Sequence, residues 1–131
     1  MEKIIKDLLS KEILENSILN WNGNFDNLKL IGDVENFVYE YKYEYKNFIL
    51  RITHSSHRKK EDILAELEWI NYLHKNNINV CNPIFSKNNN LLEIINIKNS
   101  YFIVCVFEKA KGKFANKENL LNENFLFNFF F

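Results

Sequence analysis

The feature that most constrains the fold is an alternation of residue types in the middle of the chain. From Phe37 to Tyr45 every second residue is aromatic, and the residues between them are apolar or charged. A period of two predicts a β-strand with one aromatic face. A second apolar run follows a short polar link, so we expect an antiparallel hairpin with strands over Asn36 to Tyr43 and Phe48 to His54.

The aromatic face has two interpretations. Stacked aromatic side chains can bind nucleic-acid bases, but such sites also need a surplus of basic residues to hold the phosphates. This chain has 17 basic and 17 acidic residues and a formal net charge of zero. We therefore interpret the aromatic face as core packing beneath a helix.

An amphipathic helix is predicted from about Lys60 to Lys75. Its apolar face comprises Ile63, Leu64, Leu67, Trp69, Ile70 and Leu73. At about 100° per residue, Glu66 falls inside this face rather than opposite it. An unpaired buried carboxylate costs several kcal/mol, so Glu66 requires a cationic partner.

Arg51 is unusual in the same way. It lies between Leu50 and Ile52, in an apolar run that predicts a central strand. We therefore predict an ion pair between Arg51 and Glu66. Periodicity leaves one alternative open, in which Arg51 lies on a solvated face and Glu66 lies at the margin of the helix, without contact.

The remaining elements complete an α+β fold. We expect a mostly antiparallel five-stranded sheet with an N-terminal helix and one packed helix. Gly32 is expected in a turn, because glycine adopts backbone angles that other residues resist. The other predicted segments are a helix over Lys3 to Ile18, a strand from Leu28, a polar solvated loop over Thr53 to Lys60, a short strand from Pro83, and a hairpin of Leu91 to Ile97 with Ser100 to Phe107, the last strand buried on both faces.

Length and composition limit the classes of function. A chain of 131 residues is long enough for one domain with a real core. We divide it into an N-terminal helix and loop (1–22), a central lobe (23–108), and a linker with an irregular or truncated tail (109–131). The absence of net charge argues against nucleic acid and anionic membranes as partners.

The chain is expected to be cytoplasmic. It has no apolar run long enough for a signal peptide or a membrane span. Cys81 and Cys105 lack the spacing of a zinc site or a disulfide framework, which favours buried reduced thiols. His54 and His57 are interpreted as loop residues rather than a metal-binding pair, and no metal ligands are predicted.

The order of these elements resembles the N-terminal lobe of the protein-kinase-like fold, and within it the aminoglycoside and choline phosphotransferase family. The resemblance covers roughly Leu28 to Gly112. The segments that carry it are Gly32 to Tyr39 (GDVENFVY), Ile49 to Thr53 (ILRIT), Ala65 to Ile70 (AELEWI) and Phe107 to Gly112 (FEKAKG). None of them is specific alone, but the four occur in the family's order and spacing.

The resemblance implies an ATP site. The turn from Gly32 to Asn36 would cover the phosphates, although it lacks the three glycines of the protein-kinase loop. Arg51 would replace the lysine that touches the α- and β-phosphates and pairs with the helix glutamate. The implied nucleotide-binding residues are Gly32, Asn36, Val38, Ile49, Arg51, Glu66, Phe107, Glu108 and Ala110, with Val38 and Ile49 above the adenine and with Phe107, the Glu108 carbonyl and the Ala110 amide beside it.

The catalytic residues of that family have no counterpart here. Phosphoryl transfer in the family uses an Asp in an H-G-D or H-R-D loop, a nearby Asn and a second, magnesium-binding Asp. The aspartates of this chain are Asp7, Asp26, Asp33 and Asp62, and all precede the predicted hinge. We therefore predict no catalytic residue, and magnesium only together with a C-terminal lobe.

The resulting expectation is a nucleotide-binding lobe, truncated and inactive alone. Its partners would be a nucleotide and, in the full-length family, a small-molecule acceptor, and surface exposed by truncation could drive self-association. Two alternatives stay open. One is a non-catalytic kinase-like interaction module, and the other is an unrelated α+β domain whose pattern arises by chance.

Overall fold

The computed structural model describes residues 1–109. The predictions for Ala110 and for the linker and tail after it lie outside the described residues. The elements are α1 (Lys3–Leu8), α2 (Lys11–Leu19), a short 3-10 helix (Phe25–Asn27), β1 (Lys29–Gly32), β2 (Phe37–Tyr43), β3 (Lys46–His54), α3 (Lys60–Lys75), β4 (Asn82–Pro83), β5 (Glu93–Ile97) and β6 (Ser100–Glu108).

These elements form an α+β fold, as predicted. The strand order is β1-β2-β3-β6-β4, with β5 also paired to β6, and every pairing is antiparallel. The described sheet has six strands rather than the expected five, and the short strand predicted from Pro83 is one of them: the two-residue β4 pairs Asn82 and Pro83 with the end of β6. Proline cannot donate a ladder hydrogen bond, which suits it to an edge position of this kind.

The hairpin of β2 and β3 is tighter than expected. Tyr43 pairs directly with Lys46, so Glu44 and Tyr45 form the entire turn. Both residues have positive φ angles, 48° and 69°. This is the twist that a two-residue hairpin needs, although glycine or asparagine adopts it more readily.

The aromatic face of β2 packs beneath the N-terminal helices. Phe37 and Tyr41 are buried in one core cluster with Ile18 of α2 and Trp21. Tyr43 and Tyr45, in contrast, are exposed near the hairpin turn. The interpretation as core packing is therefore confirmed for the half of the aromatic face that lies nearest the helices.

The predicted N-terminal helix is divided into α1 and α2. Ser10 lies between them with an extended backbone, and its side-chain oxygen accepts a hydrogen bond from the Ile13 N–H at 3.2 Å. A serine in this position satisfies a backbone donor that a continuous helix would satisfy by itself. The expectation of one helix over Lys3 to Ile18 is wrong at this point.

The opposite face of the sheet packs against α3, whose bounds match the prediction. Ile63, Leu67 and Ile70 are fully or almost fully buried, and each contributes about 1.5–3 kcal/mol relative to an exposed side chain. The residues from Phe102 to Phe107 in β6 alternate between the two core clusters, so this strand is buried on both faces, as predicted.

Gly23 is required by a close approach. A Cβ atom at this position would lie 2.2 Å from Cγ1 of Ile18, which is itself buried. Gly32 differs, because an added Cβ would meet nothing within 4 Å and its φ is not positive. The expected reason for a glycine at Gly32, access to unusual backbone angles, is therefore wrong.

None of the helices in residues 1–109 is long and apolar enough to cross a bilayer.

Candidate functional site

Arg51 lies on the side of the sheet that faces α3. It is opposite Val38 of β2 and Cys105 of β6 in the sheet register. Its neighbours Leu50 and Ile52 point to the other face and join the cluster under the N-terminal helices. The alternation of β3 therefore directs one cation into the apolar layer beneath α3.

Glu66 of α3 meets this cation in a two-point contact. Arg51 Nη1 donates to Oε2 at 3.0 Å, and Nη2 donates to Oε1 at 2.9 Å. The Arg51 side chain exposes 0% of its surface and the Glu66 side chain 10%. The predicted ion pair is confirmed, and the alternative of two solvated, separate groups is wrong. Parallel hydrogen bonds of this kind fix orientation as well as charge.

Arg58 also binds Glu66, which the sequence analysis missed. Its Nη1 lies 2.7 Å from Glu66 Oε1, the same oxygen that Arg51 Nη2 contacts. Arg51 and Arg58 are the only arginines in the chain, and Arg58 stands before two lysines. Arginine suits buried and bidentate pairing better than lysine. An arginine next to two lysines could therefore have indicated that Arg58 pairs with a carboxylate. We call Arg51, Glu66 and Arg58 the Glu66 cluster.

The surroundings of the Glu66 cluster shift several pKa values. Burial alone would raise the pKa of Glu66, but hydrogen bonds and positive charge from Arg51 and Arg58 bring it below its ordinary value. Burial would lower the pKa of Arg51, yet Cys105 and Glu66 raise it above its usual range. Burial raises the pKa of the Cys105 thiol despite Arg51. The carboxylate and guanidinium are therefore both charged at neutral pH.

The turn between β1 and β2 is attached to the end of β3. Thr53 Oγ1 donates to Oδ1 of Asn36 at 2.7 Å, and both residues are buried. Glu35 Oε2 lies 3.6 Å from Nδ1 of His57, in the segment between β3 and α3. The predicted phosphate-covering turn from Gly32 to Asn36 therefore adjoins the segment that contains Arg58.

The segment from Thr53 to Lys60 is less solvated than expected. His54 ends β3 and is buried, with its ring 5.3 Å from that of Phe102 and with Ser56 and Ser100 hydroxyls at its two nitrogens. Burial, and secondarily His57, lowers the pKa of His54. Within residues 1–109, no group of three or more His, Cys, Asp or Glu side chains is placed to hold a metal ion.

The apolar residues predicted above and beside the adenine share the α3 side of the sheet. Val38, Ile49 and Phe107 are all buried in the cluster that includes Leu67. The ring centroid of Phe107 lies 5.3 Å from Cζ of Arg51, within range of a cation–π interaction. These side chains are thus continuous with the Glu66 cluster, but they are closed to solvent.

The end of β6 is connected to the β2–β3 hairpin. The Lys109 N–H donates to the Asn47 carbonyl at 2.9 Å, and Lys109 Nζ lies 2.9 Å from Oε1 of Glu40. Glu108 pairs with Lys46 at 3.4 Å. A cavity of about 470 Å³ lies beside Glu108; its other lining residues are His74, Asn77, Ile78, Asn79, Val80, Asn82 and Lys109.

The chain is similar to one curated protein over most of its length. No protein-family model matches it. An amicoumacin kinase of Bacillus subtilis (strain 168) is 30% identical over 115 residues, which are 86% of this chain and 34% of that protein. The chain thus spans about a third of the length of the curated relative that it matches.

Solved structures agree with this comparison. An amicoumacin kinase in complex with AMP-PNP, Ca2+ and Ami has a TM-score of 0.81 and 31% identity, over 91% of this chain and 36% of that chain. A microcompartment-associated aminopropanol kinase has a TM-score of 0.66 and 18% identity, over 84% of this chain and 34% of that chain. The second likeness concerns the fold alone.

Proposed function

We propose that the chain is the nucleotide-binding lobe of an ATP-dependent small-molecule phosphotransferase of the aminoglycoside phosphotransferase family, because it is similar in sequence and in fold to about a third of an amicoumacin kinase. The observation that supports this most directly is the buried Arg51–Glu66 pair. A buried ion pair often contributes no more to the stability of the fold than well-packed apolar residues in the same place, and sometimes less. In the kinase-like fold, however, a strand cation paired with a helix glutamate orders the nucleotide site.

Each predicted site residue has a role in this proposal. Val38 and Ile49 contact the adenine, with Phe107 beside it, and the turn bearing Gly32 and Asn36 covers the phosphates. Arg51 and Glu66 order the phosphate end of the site, and the Glu108 carbonyl and Ala110 amide bond the edge of the base. Val38, Ile49 and Phe107 are buried. The adenine base must therefore displace the side chains that now cover them before it can contact them.

The solved amicoumacin kinase holds AMP-PNP, which supports ATP as the cofactor of this chain. We propose a small, hydroxylated or amino-bearing acceptor, bound mainly by a C-terminal lobe that would also supply the catalytic Asp and the magnesium ligands. Without that lobe we expect residues 1–131 alone to transfer no phosphate. A cytoplasmic location, where ATP is abundant, and self-association through surface left bare without the second lobe belong to the same proposal.

Nucleotide-dependent thermal stabilisation tests the proposal. A ligand present at 100 times its Kd stabilises the folded state by about 2.7 kcal/mol. We expect 5 mM ATP or ADP to raise the melting temperature of the chain by several degrees, while sodium triphosphate at equal ionic strength does not. An ATP-consumption assay of the same sample should show no turnover. No shift with either nucleotide would contradict the proposal.

A non-catalytic interaction module is the second candidate. The rings of Trp69 and Tyr72 are stacked at 5.6 Å on the outer side of α3, and more than half of each side chain is exposed. Exposed aromatic pairs are common at protein interfaces. This function would be favoured by the absence of any nucleotide effect, because it requires the fold but not an open nucleotide site.

A further inference from the structure

The turn between β1 and β2 contains two carboxylates, although its proposed role is to cover phosphates. Asp33 and Glu35 lie on either side of Val34, whose side chain is strongly exposed. A carboxylate without a nearby cation repels a phosphate chain that approaches it. Cations that neutralise Asp33 and Glu35 would therefore favour the binding of a nucleotide under this turn.

Asp33 is paired with a lysine of the first helix. Lys6 Nζ of α1 lies 3.2 Å from Asp33 Oδ2, and each side chain is almost half exposed. Ile5, the residue before Lys6, is buried in the core cluster on the face of the sheet opposite α3. Because this burial fixes α1 on the sheet, Lys6 holds Asp33 from the side opposite Arg51.

Glu35 is paired with a histidine that the start of the chain also contacts. His57 Nδ1 lies 3.6 Å from Glu35 Oε2, and His57 Nε2 lies 2.8 Å from Glu2 Oε2. In its protonated form, the ring of His57 can donate to both carboxylates. Glu2 lies four positions before Lys6, so both contacts come from the beginning of α1.

A third contact attaches the end of the turn to β3. Thr53 Oγ1 donates to Asn36 Oδ1 at 2.7 Å, and both residues are buried. This neutral contact fixes the end of the turn, whereas the ion pairs of Asp33 and Glu35 act on its exposed part. The position of the exposed part therefore depends on α1 and on the segment before α3.

We propose that Lys6 and His57 are positioning residues of the nucleotide site, which neutralise Asp33 and Glu35 and hold the turn between β1 and β2 over the phosphates. This inference rests on the proposed function. It extends the nucleotide site to α1, on the other side of the sheet, and it predicts that α1 affects the binding of phosphorylated ligands more than that of adenosine.

Affinities for ATP, ADP and adenosine test the role of Lys6. Lys6→Gln should weaken ATP and ADP binding about two- to fivefold, the range for an exposed ion pair, and leave adenosine binding unchanged. Lys3→Gln is the matched control, because Lys3 is an exposed cation of the same helix, and it should alter none of the three affinities. Equal weakening of ATP and adenosine binding in Lys6→Gln would overturn the assignment.

Neutralisation of charge also predicts a rescue. Asp33→Asn removes the charge that Lys6 offsets, so Lys6→Gln should no longer weaken ATP binding when both substitutions are present. Glu35→Gln should in the same way cancel the loss of ATP affinity that His57→Gln causes. If the losses persist in these double variants, the two cations do not act through the carboxylates of the turn, and the assignment is overturned.

Hydrogen exchange of the ligand-free chain measures the attachment of the turn without a nucleotide. The backbone amides of residues 33–36 should exchange faster in Lys6→Gln than in the wild type or in Lys3→Gln, because one attachment of the turn is lost. Unchanged exchange in Lys6→Gln would overturn the positioning role.

The outcomes separate this inference from the proposed function. If the wild-type chain binds neither ATP nor ADP, the proposed function fails and the role of Lys6 and His57 in nucleotide binding fails with it. If the wild type binds both nucleotides and Lys6→Gln binds them equally well, the inference about α1 alone is overturned.

Discussion

Glu66 accepts hydrogen bonds from two arginines that reach it from different segments of the chain. Removing Arg51 and removing Glu66 therefore leave different groups without a charged partner. Without Arg51, Glu66 would still be paired with Arg58. Without Glu66, the fully buried Arg51 would lose its carboxylate partner, and a buried charge that loses its partner is far more costly than an exposed one.

The two substitutions should consequently differ in their effect on stability. Glu66→Gln should lower the free energy of unfolding by about 3–5 kcal/mol, the usual cost of breaking a buried ion pair from one side. Arg51→Met should cost less, because methionine suits the apolar layer and Arg58 continues to pair with Glu66. Urea denaturation measures both values, and a larger loss in Arg51→Met would contradict this account.

The pH dependence of unfolding checks the same cluster. Because the pKa of folded Glu66 lies below its ordinary 4.5, the unfolded chain binds more protons than the folded chain between those two values. The stabilisation is fully present above about pH 4.5 and is lost as the pH falls through the folded pKa. The stability difference between wild type and Glu66→Gln should therefore shrink in acid, and a difference that grows there would refute the pairing.

At the scale of elements, the connection after α2 is more sensitive to an added side chain than the end of β1. Gly23→Ala places a methyl group 2.2 Å from Cγ1 of buried Ile18, so it should destabilise the fold by about 1–3 kcal/mol through overpacking. Gly32→Ala is the matched control and should be neutral or stabilise by up to about 1 kcal/mol, since its backbone angles suit alanine. Thermal unfolding of the two variants distinguishes them, and equal losses would contradict this reading.

The sequence predicted those elements whose pattern depends on burial alone. Alternation identified β2, an apolar run identified β3, and helical spacing gave α3 its observed bounds from Lys60 to Lys75. Out-of-place charges within these patterns then identified Arg51 and Glu66. Each of these inferences uses a single element and the fact that apolar side chains leave water.

What could not be predicted lies in segments whose conformation leaves no pattern of burial in the sequence. The turn of Glu44 and Tyr45 has none of the usual turn residues and is set by the register of the strands around it. Arg58 lies in a run of polar residues, where no pattern of burial distinguishes it from its neighbours as a partner of Glu66. The division between α1 and α2 rests on one serine that could also occupy the interior of a helix.

At the scale of the whole molecule, the N-terminal segment packs on the face of the sheet opposite α3. Ile5, Leu14, Ile18 and Trp21 are buried there with residues of β2, β3 and β6. At about 1.5–3 kcal/mol each, these four side chains together contribute on the order of 6–12 kcal/mol, comparable with the whole stability of a typical domain.

Deleting residues 1–22 should therefore abolish cooperative unfolding and leave an aggregation-prone chain. Deleting residues 1–9 is the matched control, because it removes one of those four side chains, Ile5, and should leave a folded, less stable protein. Circular dichroism and heteronuclear NMR report both results. A cooperative transition in the larger deletion would show that the N-terminal segment is an independent unit, as the division at residue 22 supposes.

Lys109, where the chain leaves the sheet, is attached to the β2–β3 hairpin by two contacts. Its amide extends the ladder to Asn47, and its ammonium group reaches across to Glu40. A lobe joined after this residue could change its orientation in two ways: the two contacts of Lys109 would break, or the β2–β3 hairpin would move with the lobe. If a second lobe follows, its orientation relative to the sheet would therefore depend on the position of the β2–β3 hairpin, to which both contacts of Lys109 are made.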